Sequence, residues 1–70
     1  METFKIDGLS KYLNTSSSTI RRLIKEGKLP YFRVGGIIKF NKVSIDNWIK
    51  EQELNNLHKK EAVYNDNKQQ

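Results

Sequence analysis

The sequence predicts a small α+β domain, and three observations point that way. A serine-capped amphipathic helix ends at a glycine, and a Gly-Gly pair then separates two short runs rich in β-branched and aromatic residues. A further amphipathic stretch carries the only tryptophan. Seventy residues hold one small domain with a core of limited size.

Phe4-Lys5-Ile6 reads as a short lead-in, and residues 7 to 13 predict a first helix. Leu9, Tyr12 and Leu13 recur at helical spacing and are expected to face inward. Asn14 accepts the left-handed conformation that ends a helix, and Thr15 begins the turn. Ser16 is placed to cap a second helix over residues 17 to 26. On that helix Ile20, Leu23 and Ile24 cluster on one side. Ser18, Arg21, Arg22 and Lys25 fall on the other, with Ser17 at the edge. Gly27 stops the helix and Pro30 opposes a restart.

Residues 31 to 34 and 37 to 40 flank Gly35-Gly36, a two-residue loop of the kind a β-hairpin uses. Asn41 is a cap for a third helix in which Ile45, Trp48 and Ile49 share a face and Trp48 closes the core. Past Gln52 the pattern changes, because Leu54 and Leu57 lie on a different side from Ile45 and Trp48. The expected organisation is a domain over residues 1 to 53, then a polar tail over 54 to 70, partly helical or disordered. Residues 65 to 70 are expected to be disordered.

The net charge of +5 is localised. Residues 16 to 40 hold Arg21, Arg22, Lys25, Lys28, Arg33 and Lys39 against the single acid Glu26, whereas the segments on either side carry equal numbers of each sign. A charged helix and a charged hairpin together suit one anionic partner shaped to take both, and duplex DNA has that shape. No apolar run approaches the roughly 20 residues that span a bilayer, and no signal-peptide pattern opens the chain. With no cysteine, the chain has neither a disulfide nor a thiolate metal site. The expected setting is cytoplasmic, without membrane, metal or cofactor.

Catalytic chemistry has little to build on. His58 is the single histidine and lies in the polar tail without metal-binding or nucleophilic partners in sequence. Gly35-Gly36 lacks the lysine and hydroxyl of a phosphate-binding loop. No catalytic residue is expected, and Asp7 and Glu26 read as surface charges.

Two short helices joined by a tight turn and followed by a hairpin make a winged helix-turn-helix. In that arrangement the second helix enters the major groove with its first residues nearest the bases. Ser17, Ser18 and Arg21 are then the base readers; an arginine gripping guanine with two hydrogen bonds gives about 1–3 kcal/mol of discrimination. Arg22 and Lys25 suit phosphates. The Gly35-Gly36 tip, with Arg33 and Lys39, is expected to meet the backbone or the adjacent minor groove. Thr19 lies at the wheel boundary, where a phosphate contact and a structural role are both open. The full candidate DNA-binding set is Ser16, Ser17, Ser18, Thr19, Arg21, Arg22, Lys25, Lys28, Arg33, Gly35, Gly36 and Lys39.

Several of these residues form a familiar series. Ser16-Ser17-Ser18-Thr19-Ile20, Arg22-Leu23-Ile24 and Glu26-Gly27-Lys28-Leu29-Pro30 are followed by Arg33-Val34-Gly35, Lys39-Phe40 and Trp48-Ile49. Over residues 4 to 49 the chain resembles the excisionase-type DNA-binding domain, a winged helix-turn-helix related to the MerR class. The resemblance implies DNA contacts from Ser17, Ser18, Arg21 and Arg22, with the wing at Gly35 touching the backbone. Lys5 stands where a threonine commonly caps the first helix, so a weaker or shifted cap is expected. Gly36 and Ile37 replace a frequent basic pair at the wing tip, and Asn41 replaces a frequent proline.

The resemblance implies one of two roles. One is a recombination directionality factor of a phage or mobile element, which bends DNA near an attachment site so that a tyrosine integrase excises rather than inserts. The other is a small transcriptional repressor or activator. Short length favours the first, since it leaves no room for an effector domain. A single recognition helix buries little surface, so neighbouring copies on adjacent sites or an integrase contact are expected to help. Leu54, Leu57, Val63 and Tyr64 are candidates for supplying that contact, and a solvated tail is the alternative.

Overall fold

The computed structural model describes the backbone of residues 1–63 and the side chains of residues 1–57. The elements run β1 (Thr3–Phe4), α1 (Ile6–Tyr12), α2 (Ser17–Lys25), β2 (Phe32–Val34), β3 (Ile37–Asn41) and α3 (Lys42–Val63). This is the expected α+β winged helix-turn-helix, with one addition. Of the expected lead-in only Phe4 joins a strand, β1, with Thr3, while Ile6 opens α1; the hairpin thereby becomes a three-stranded antiparallel sheet in the order β1-β3-β2. Thr3 pairs with Asn41 and Phe4 with Phe40, and the Lys42 amide donates to the Glu2 carbonyl at 3.0 Å. Two residues are too few to carry a readable alternation, which is why the pairing is invisible in the sequence.

The helix boundaries follow local chemistry. Lys5 occupies the N-cap of α1 with no side-chain cap bond, as its side chain dictates. Asn14 takes a φ of 54° after α1. The Ser16 hydroxyl accepts from the Thr19 amide at 3.2 Å, and its oxygen lies 3.0 Å from the Thr19 hydroxyl. That pairing gives Thr19 a structural role. Past Glu26 the chain reverses through Gly27 at φ 70°. Its reversal is closed by the Lys28 amide donating to the Leu23 carbonyl at 2.9 Å. Asn41 Oδ1 accepts from the Val43 and Ser44 amides at 2.8 and 3.4 Å, the expected cap of α3.

The core draws one buried side chain from each helix, one from β3 and one from the turn after α2. Leu9 of α1, Ile20 of α2, Leu29 of the turn, Phe40 of β3 and Ile45 of α3 are buried together. Two inward expectations are corrected. Tyr12 is 42% exposed. Its ring stacks on Phe4 at 4.8 Å between centroids, while its hydroxyl donates to Asp46, because a phenol keeps its polar end at water or a partner. Trp48 lies half-buried against the core flank rather than closing it, and its indole N–H donates to the Lys28 carbonyl at 2.7 Å. Ile45 fills the interior position instead.

α3 continues unbroken past residue 53 to Val63, and Leu54 and Leu57 stay exposed on it. The expectation of disorder over residues 65 to 70 lies outside the described residues, as do Tyr64 and the side chains of His58 and Val63.

Candidate nucleic-acid interface

Helix α2 is strongly amphipathic: Ile20 is buried, Leu23 and Ile24 pack against the core, and Ser18, Arg21, Arg22 and Lys25 are exposed. Because the apolar stripe is fixed against α1, the cationic stripe is held outward at a constant angle. Ser17 and Thr19 are half-buried at the edges, and Ser16 and Thr19 are engaged with each other in the cap. Ser18 is therefore the exposed hydroxyl at the helix start that the cap does not engage.

The cations are not equivalent. Glu26 Oε1 lies 3.5 Å from both Arg22 Nη1 and Lys28 Nζ, so the one acid of the segment is shared by two of its cations. Arg21 and Lys25 make no ion pair among the described residues. Arg21 instead borders an open cleft of about 330 Å³ between α2, the start of α1 and the wing tip, lined also by Lys5, Ile6, Asp7, Gly36, Ile37 and Ile38.

In the wing, Val34 pairs with Ile37 across Gly35-Gly36. Positive φ falls on Gly35 alone, at 63°, the pattern of a type II′ turn with glycine first. An added Cβ on either glycine would meet nothing within 4 Å, so the tip is open to a close-approaching surface. The register separates the two wing cations. Arg33 pairs with Ile38, which shares a strand face with the buried Phe40, whereas Lys39 pairs with Phe32 on the opposite face. Arg33 is exposed beside the Tyr31 ring at 5.8 Å, and Lys39 is half-buried.

The structure thus brings Ser18, Arg21, Arg22, Lys25 and the Gly35-Gly36 tip to accessible positions, leaves Ser16 exposed with its hydroxyl engaged in the cap, and holds Thr19 and Lys39 half-buried. Lys5 was not among the sequence candidates, although its side chain borders the cleft; its unusual occupancy of a cap position was the available signal. Among the described residues no group of three or more His, Cys, Asp and Glu could hold a metal ion. Among them, too, no helix is long and apolar enough to cross a membrane.

A second polar cluster joins α1 to α3. Asp46 accepts from the Tyr12 hydroxyl and lies 3.0 Å from Lys42 Nζ, which also sits 5.5 Å from the centre of the Tyr12 ring. The bond from Tyr12, followed by that from Lys42, holds the Asp46 carboxyl below its ordinary range. The bond to Asp46 raises both Tyr12 and Lys42.

A tight turn between helices, an outward cationic helix and a glycine-tipped wing are the parts of a winged helix-turn-helix. Residues 3–53 match a family model described as a helix-turn-helix domain. No curated protein and no solved structure shows a significant match to the chain. The match covers most of the chain and agrees with the excisionase-type resemblance of residues 4 to 49, and the protein belongs to the helix-turn-helix domain family of DNA-binding proteins.

Proposed function

We propose that the protein is an excisionase-like recombination directionality factor: it binds and bends duplex DNA beside an attachment site and turns a tyrosine integrase toward excision of a mobile element. The observation that carries DNA recognition is the α2 surface, where Arg21 and Lys25 stand outward without ion pairs among the described residues. The excision role rests on the resemblance over residues 4 to 49. In this reading Ser17, Ser18 and Arg21 read bases, and Arg22, Lys25 and Lys28 hold phosphates. Arg33 and the Gly35-Gly36 tip approach the backbone beside the minor groove, and Ser16, Thr19 and Lys39 support the same surface from its margin. The reading places the protein in the cytoplasm.

The DNA-binding unit is assigned to residues 1 to 53, and residues 54 to 70 to an appendage. A lone module covers roughly 600–1,000 Å² of protein surface, so occupancy depends on neighbours. Leu54 and Leu57, exposed on α3, are suited to contact the integrase or a second copy on an adjacent site.

The test is a nuclease footprint across the DNA flanking the gene, followed by an excision assay with a tyrosine integrase and the protected DNA as substrate. Protection of short direct repeats beside an attachment site, with stimulated excision, supports the proposal. Protection confined to a promoter, with no effect on excision, assigns transcriptional regulation instead.

A further inference from the structure

The cleft between α2 and the wing contains two cations that serve no internal purpose. Lys5 sits at the N-cap of α1 yet makes no side-chain cap bond, and it forms no ion pair among the described residues. Arg21 is equally unpaired among them and lies across the same cleft. The wing supplies Gly36, where a Cβ would meet nothing and the backbone is open to approach. Its amide has no partner among the described residues. The cleft holds one acid, Asp7, so the excess is positive.

The location matters as much as the charge. With a recognition helix in the major groove and a wing at the adjacent minor groove, one sugar–phosphate strand separates the two grooves. That strand must pass between helix and wing, which is where this cleft opens. We propose that the cleft seats a phosphate of that strand, with the Lys5 ammonium as its principal contact, Arg21 bordering it as it reaches toward the bases, and the Gly36 amide facing it. Lys5 thereby fixes the register of α2 in the groove without reading sequence. Asp7 opposes the phosphate and limits the affinity. The inference rests on the DNA-binding reading of the preceding subsection.

The test measures binding to fluorescent duplexes of two unrelated sequences over a range of salt, for the whole chain and for Lys5→Ala, Asp7→Asn and Lys50→Ala. Lys5 makes no cap bond, so its truncation leaves the fold intact, and circular dichroism of each variant verifies this. The expected result for Lys5→Ala is an equal, several-fold loss on both duplexes and a salt slope lower by about one unit. Asp7→Asn tightens both, and Lys50→Ala, on the exposed face of α3, changes neither. Unchanged affinity and slope in folded Lys5→Ala, while the parent protein binds, would overturn the cleft assignment alone. A parent protein that binds neither duplex at low salt would overturn the DNA-binding reading as well.

Discussion

The indole N–H of Trp48 donates to the Lys28 carbonyl at 2.7 Å, so α3 is fastened to the turn that follows α2. Lys28 lies between the Gly27 reversal and the buried Leu29. The bond therefore sets how α2 leaves the core and where the wing begins. Trp48→Phe keeps much of the ring and removes the donor. The expected loss is about 0.5–1.5 kcal/mol. Thermal unfolding should shift down by roughly 4–8 °C per kcal/mol for a domain of this size. An unchanged midpoint would show that the bond adds nothing.

Ser16 has a separable role at the other end of α2. Its hydroxyl satisfies the Thr19 amide, and Ser16→Ala is expected to cost about 1 kcal/mol. Ser16→Asp should retain the cap and the stability. The same variant places a negative charge beside the surface proposed to face DNA, so its duplex affinity should fall while its melting temperature does not.

Arg21 and Arg22 are neighbours in sequence with different surroundings. Arg22→Ala should weaken all duplexes alike and lower the salt slope by about one unit. Arg21→Ala should in addition relax preference at particular base pairs, by about 1–3 kcal/mol at each pair it reads. Equal losses on specific and random DNA from Arg21→Ala would remove its role as a base reader.

Glu26 lies 3.5 Å from both Arg22 and Lys28, and under the proposed function it competes with phosphate for both. Glu26→Gln should tighten binding to any duplex by about two- to fivefold, equivalent to the upper range of one exposed ion pair. Weaker binding would mean that the pairing orients the cations instead of competing for them.

The Tyr12–Asp46–Lys42 cluster predicts the pH dependence of the α1–α3 contact. Asp46 is lowered in the folded protein, chiefly by the Tyr12 hydroxyl. Its contribution is present above the unfolded carboxylate pKa and disappears as pH falls through the lower folded value. Tyr12 and Lys42 are raised, chiefly by Asp46. Their contributions are present below their unfolded values and disappear as pH rises through the folded ones. Asp46→Asn should flatten both limbs of the stability profile, read by urea unfolding at a series of pH values, and leave DNA affinity near neutral pH unchanged.

Most of the fold is legible in the sequence because its punctuation is local. Asn14, Ser16, Gly27, Gly35 and Asn41 each carry a conformational preference that acts within a few residues. The pairing of Thr3–Phe4 with β3 is a contact across almost forty residues and leaves no periodic trace. The Tyr12 expectation missed because wheel position marks which side a ring lies on, whereas its hydroxyl end was claimed by Asp46 on another helix. The cationic face of α2 was readable from spacing. The sharing of Glu26 by Arg22 and Lys28, the opposite faces of Arg33 and Lys39, and the placing of Lys5 and Arg21 on one cleft all depend on how separate elements dock.

The most direct measurement is an NMR titration of the isotope-labelled chain with a short duplex at low salt, following every backbone amide. Shifts concentrated in residues 16 to 22, in Lys5 and at the Gly35-Gly36 tip are expected, with the exposed face of α3 unmoved. Shifts confined to α3, or none at all, would contradict recognition by α2 and the wing.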